Sequence, residues 1–134
     1  MAIKRIPAAV GLLVCDQVIF AEKTRNPTLV NCFSFRRVAK FPSLPVPFTV
    51  FSLLSGGAGD ILLEVVINRL DTLDEVWRRG YKGHFQQTMA ATVFTLPVRG
   101  CSFPAEGYYE ATLFADHELI AARKFAVRSK EIMP

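Results

Sequence analysis

Apolar residues recur along this chain in short runs, many of them alternating with polar positions, and turn-forming stretches containing proline, glycine, asparagine, aspartate or serine separate most of them. Period two is the spacing of a half-buried strand, so the pattern predicts β-structure almost throughout. Residues 8–15 form a continuous apolar run between Pro7 and Asp16, suited to a strand covered on both faces, and 18–22 continue it as a second short segment. After the polar turn 23–27, residues 28–38 alternate: Leu29, Asn31, Phe33, Phe35 and Arg37 fall on one face, and Val30, Cys32, Ser34 and Arg36 on the other. Three prolines in 41–47 exclude helix and central strand and predict an extended crossing between two sheets, where a cis bond is compatible with the sequence.

Residues 48–54 and 61–70 are β-branched and aromatic runs separated by Ser55, Gly56, Gly57, Ala58, Gly59 and Asp60, a composition that predicts a hairpin. From 71 to 85 the signals compete, because Thr72 to Glu75 has the spacing of a helix capping box while the residues from Glu75 onward suit an edge strand; the edge strand is the expectation adopted. Residues 86–97 read as a further strand, with Thr88, Ala90, Thr92 and Phe94 alternating against Met89, Ala91, Val93 and Thr95. The runs 110–115 and 118–127 form a closing hairpin turned at Asp116 and His117. Seven to eight short strands with turn signals near every ten residues, and no strong long helix, predict an all-β, single-domain antiparallel β-sandwich over 1–134. Gly107-Tyr108-Tyr109 after a turn fits the tyrosine corner of Greek-key sandwiches, with Tyr109 as the corner residue.

Four features, Cys15-Asp16 at the end of the first strand, the strand Thr28-Leu29-Val30 to Phe33, the Phe41-Pro42 crossing, and Phe103-Pro104 to Gly107-Tyr108-Tyr109 with its hairpin, resemble a family of uncharacterised bacterial proteins known as a domain of unknown function. The resemblance implies an immunoglobulin-like sandwich and no activity. The chain departs from that pattern in its first loop, which lacks a glycine-lysine turn, and in having Asp116-His117 where Asp-Gly is more typical.

Composition sharpens the picture. With 134 residues, 51% of them hydrophobic and eleven of them Phe, one core forms without metals or disulfides. The charged share, 21%, lies below the usual quarter, which leaves apolar surface and favours a homo-oligomer or a protein partner. The net charge of +4 is spread in pairs such as Arg36-Arg37 and Arg78-Arg79, which disfavours nucleic acid as a partner. Three cysteines without close pairing fit a reducing cytoplasm. Lys4-Arg5 and the following apolar run imitate a secretion signal, but Pro7 interrupts it and Val14 stands where cleavage needs a small residue. No apolar run reaches membrane-spanning length, so no membrane partner is expected.

Candidate chemistry is sparse. Cys15 beside Asp16 is a poor nucleophile, since an acidic neighbour raises a thiol's pKa and adjacent strand residues point apart. His84, His117, Cys101 and Asp116 lack metal-ligand spacing, and the glycine loop 56–60 lacks the Lys-Ser or Lys-Thr of a phosphate loop. Glu64, Asp71, Asp74, Glu75 and Glu106 supply carboxylates without a recognisable catalytic spacing. No catalytic residue, metal or cofactor is therefore expected. The segment 77–85 alone has the composition of a recognition site: Trp77, Arg78, Arg79, Tyr81, Lys82 and His84 suit a carbohydrate or anionic metabolite, set against the plainer reading of a charged edge strand. The expected function is a non-enzymatic sandwich acting through protein contacts or self-association, with the small-ligand module as the alternative.

Overall fold

The computed structural model describes residues 3–86 and 91–130. Nine strands lie among them: β1 (Ala8–Phe20), β2 (Pro27–Cys32), β3 (Phe35–Val38), β4 (Phe48–Ser55), β5 (Gly59–Arg69), β6 (Glu75–Phe85), β7 (Thr92–Val98), β8 (Gly107–Ala115) and β9 (Glu118–Ser129). They build a four-stranded sheet ordered β2-β1-β4-β7 and a five-stranded sheet ordered β3-β9-β8-β5-β6. All pairings are antiparallel except β3 with β9. The inward faces meet in one core that joins Leu12, Val14, Val50 and Leu96 of the first sheet to Ile61, Val65, Leu113 and Val127 of the second. An all-β fold of two facing sheets is what the alternation demands, since each sheet must bury one face.

The core's centre is aromatic. Phe33, Phe48, Phe103, Tyr109 and Phe125 touch ring to ring at centroid separations of 4.8 to 6.5 Å, mostly edge to face. The corner residue is Tyr109, as its spacing predicts: the ring is fully buried and its hydroxyl donates to the Ala105 carbonyl at 2.5 Å. Tyr109→Phe keeps the ring and loses that bond, so urea denaturation should show a loss of about 1 kcal/mol. An unchanged midpoint would remove the corner from the list of stabilising contacts.

Several expectations hold. Residues 75–85 form the edge strand β6, the closing hairpin is β8 and β9, and the proline-rich segment carries the chain from β3 in one sheet to β4 in the other. The Phe41-Pro42 bond within it is cis. Asp116 and His117 both have positive φ, 46° and 69°, the geometry of a type I′ hairpin turn.

Others need correction. Residues 28–38 are two strands in different sheets, which raises the count to nine. Asn31 adopts a φ of 52° and the chain bends at Ser34, so Phe33 enters the core while Phe35 faces out. Residues 48–54 and 61–70 do not form a hairpin. Strand β4 lies between β1 and β7, and β5 between β6 and β8, so neither offers the other a free edge. The glycine loop crosses between the sheets instead, pinned where Arg5 and Ala58 exchange backbone hydrogen bonds of 2.9 and 3.0 Å. A Cβ at Gly59, whose φ is 82°, would stand 2.7 Å from the Ile3 carbonyl oxygen. The first two apolar segments are one strand, β1, interrupted by an irregularity between Val10 and Leu13 where Gly11 takes a φ of 69°. Its outer face is only partly covered, for Val10 is 68% exposed. The strand expected over 86–97 is ordered as Thr92–Val98, and its positions 87–90 lie outside the described residues.

Candidate functional site

The residue pattern places the recognition candidates on β6, the edge of the five-stranded sheet, and the register with β5 divides them. Trp77, Arg79 and Tyr81 stand opposite Ile67, Val65 and Leu63, on the core-facing side, whereas Arg78, Lys82 and His84 stand opposite Val66, Leu62 and Asp60, on the outer side. The six side chains therefore do not converge. Trp77 packs against the core and donates its indole N–H to the Arg99 carbonyl at 2.8 Å. Arg78 bridges Glu75 and Glu64, each at 2.9 Å, and the hydrogen bond to Glu75 is the largest influence holding its guanidinium charged. His84 Nδ1 lies 2.7 Å from Asp60. Arg79, Tyr81 and Lys82 remain; of these Tyr81 is 55% exposed.

Asp16 accepts from Arg36 at 2.6 Å and from Asn31 at 2.9 Å, tying β1 and β2 to β3. Its neighbour Cys15 is fully buried, and burial first, then Cys32 and Asp16, push its thiol to about 11. Burial pushes the Cys101 thiol to about 12. Cys32 is exposed. Brief alkylation of the native protein at neutral pH should label Cys32 and spare the other two; comparable labelling at Cys15 would contradict its placement. Asp116 bonds Lys4 at 2.7 Å and accepts the Leu62 N–H at 2.8 Å, and these two contacts hold its carboxyl below the ordinary 3.8. A depressed carboxyl stabilises the fold above its unfolded value and loses that contribution as pH falls through the folded value. Asp116→Asn, which suits the same positive φ, should therefore flatten the acid limb of the stability profile below 3.8; an unaltered limb would deny Asp116 that part. Among the described residues, no three His, Cys, Asp or Glu side chains gather as a metal site.

A different feature stands out once strand register is known. The outward face of the four-stranded sheet carries Thr28, Val30 and Cys32 on β2, Val10, Leu13, Cys15, Gln17 and Ile19 on β1, Thr49, Phe51 and Leu53 on β4, and Val93, Thr95 and Pro97 on β7. None of these strand positions is Lys, Arg, Asp or Glu, and Asp16 and Arg99 stand at the rim beside Gln17, Thr49 and Pro97. Val10 and Ile19, 68% and 51% exposed, flank the half-covered Leu13. The outward face of the five-stranded sheet is the opposite case. Asp60, Glu64, Arg78, Lys82, Glu110, Lys124, Arg128 and Arg37 alternate across it, and its exposed Phe35 and Tyr108 each lie under a guanidinium, of Arg37 and Arg128 respectively. One chain thus presents a charged sheet face and an uncharged one.

Composition gave the hint of spare apolar surface, but the face itself could not be read from the sequence. Its strands β2, β1, β4 and β7 are neighbours only after the two corrected crossings, and Phe51 and Val93 look like ordinary core residues until the register is fixed. No helix among the described residues is long and apolar enough to cross a membrane. In comparisons with known proteins, no family model and no curated protein matches the chain.

Proposed function

We propose that this chain is a non-enzymatic, cytoplasmic, immunoglobulin-like Greek-key sandwich, of the uncharacterised bacterial kind its sequence resembles, that acts by binding protein through the outward face of its four-stranded sheet. The strand order, the repeated crossings between sheets, β3 running parallel beside β9, and the Tyr109 corner support the topological part of this reading. The contrast between the two sheet faces carries the functional part. A surface stripped of charge in a chain with 16 basic and 12 acidic residues suits desolvation against a partner, as the depletion of charge at interface centres illustrates.

A second copy of the chain is the partner this face fits best. Two molecules each bearing +4 repel, and on this face no like charges are brought together as they approach. With strands about 4.8 Å apart and about 3.3 Å per residue, the face projects on the order of 500 Å², more once side chains are counted, at the small end of what each partner gives to a specific interface. Such a pairing would be isologous and sheet on sheet. Light scattering over a concentration series should show mass rising from 14.9 kDa toward twice that value in the micromolar range; a constant monomer mass throughout would reject self-association.

Arg79 and Tyr81, adjacent on one side of β6 and with no side-chain hydrogen bond among the described residues, support a second reading as a small-ligand module for a carbohydrate or anionic metabolite. Trp77 lies one register step away, so its fluorescence should change on ligand addition. A flat response across a panel of glycans and anionic metabolites would dismiss this reading.

A further inference from the structure

The uncharged face also brings two thiols together. Cys15 on β1 is the direct cross-strand partner of Cys32 on β2, although sixteen residues separate them in sequence. The Phe33 N–H donates to the Val14 carbonyl at 3.0 Å. Backbone groups alternate along an antiparallel pair, so Val14 and Phe33 form a hydrogen-bonded pair and Cys15 and Cys32 the adjacent non-hydrogen-bonded pair. Residues opposed in that way have Cα atoms about 4.5 Å apart and Cβ atoms on one face, within the range of about 4.4–6.8 Å that a disulfide spans. A thiolate at Cys32 also raises the pKa of Cys15, a sign that the two sulfurs lie close enough to interact. Both are free thiols in the structure.

We propose that Cys15 and Cys32 form a reversible intrachain disulfide when the protein meets a low-molecular-weight disulfide such as oxidised glutathione. Their unequal exposure sets the order of events. The exposed Cys32 thiolate attacks one sulfur of the oxidant, forming a mixed disulfide and expelling one thiolate of the small molecule. Cys15 then gives up its proton and attacks the Cys32 sulfur, expelling the second small thiolate, so that two protein thiols are oxidised and one small disulfide is reduced to two thiols. Burial shields Cys15 from direct attack, and its route to oxidation runs through Cys32. Cys101 is buried, and the strand pairings give it no cysteine neighbour, so it stays reduced. In a reducing compartment the pair rests as two thiols, and oxidation clamps the edge strand β2 to β1. Cys32 lies on the face proposed to pair with a second copy, so it is the free chain that reacts, and the oxidation is followed below the concentration at which light scattering shows association.

The test is to equilibrate the native protein with a graded ratio of reduced to oxidised glutathione, quench with acid, and measure intact mass and linked peptides. The expected product is a monomer two hydrogens lighter, with a Cys15–Cys32 linked peptide and Cys101 alone alkylated after unfolding. Its thermal midpoint should exceed that of the reduced form. Cys32→Ser, an exposed and conservative change, should abolish the product, and Cys101→Ser should retain it. A glutathione adduct that persists on Cys32 while Cys15 stays alkylatable on unfolding would overturn the proposal. So would a disulfide-linked dimer through Cys32.

Discussion

Phe125→Ala is expected to lower the free energy of unfolding by about 3–5 kcal/mol, a large part of the total for a domain of this size. The ring is 2% exposed and sits among Phe33, Phe48, Phe103 and Tyr109, at centroid distances of 6.0 to 6.1 Å from each. Those four come from both sheets and the connections between them, so truncation opens a cavity that no single neighbour can collapse to fill. Phe35, six residues from Phe41 and equally aromatic in sequence, is the control: it is exposed and lies outside the core cluster, so Phe35→Ala should cost within about 0.5 kcal/mol. Urea unfolding of both variants measures the difference. Equal losses would show that Phe35 packs in the core like Phe125 and that the bend at Ser34 does not turn it outward.

The second large effect concerns association. Placing carboxylates at Val10 and Ile19 together should weaken dimerisation at least a hundredfold, because each would be buried against an apolar partner surface with no cation to meet it. Both side chains are more than half exposed in the free chain, so the monomer should keep its fold and nearly its stability. Far-ultraviolet circular dichroism and the unfolding midpoint check that condition. Loss of the fold in this variant would mean that Val10 and Ile19 serve the monomer, and Val10→Thr with Ile19→Thr, which keeps β-branching while reducing apolar area, then separates folding from association.

What the sequence disclosed, and what it withheld, follows from the range of each signal. Period two, the Asp116-His117 turn and the Tyr109 corner are set within a few residues, and all were legible. Edge strand β6 was legible for a related reason: Arg78, Arg79 and Lys82 are charges that a central strand would not carry on both faces. The sheet to which a strand belongs is decided elsewhere. The Gly56 to Asp60 loop permits a reversal and a crossing equally well, and the choice is made by Arg5 bonding Ala58 and by β1, β7, β6 and β8 occupying the available edges. The break at Ser34 was hidden because alternation alone cannot reveal that Asn31 turns into a left-handed conformation. The site candidates show the same limit: Trp77, Arg78 and His84 have the composition of a binding segment, yet their partners Arg99, Glu64 and Asp60 lie 14 to 24 residues away. The uncharged face required all four of its strands to be placed, and the Cys15–Cys32 pair required the register of two.

Sedimentation equilibrium on three proteins tests most directly the claim that the two sheet faces differ in role: the wild type, the variant with Val10→Glu and Ile19→Glu, and a control with Lys82→Glu and Lys124→Glu on the charged face. A concentration-dependent dimer is expected for the wild type and the control, and a monomer for the face variant. A wild type that stays monomeric throughout, or a control that loses the dimer while the face variant keeps it, would show that the uncharged face is not the one that associates.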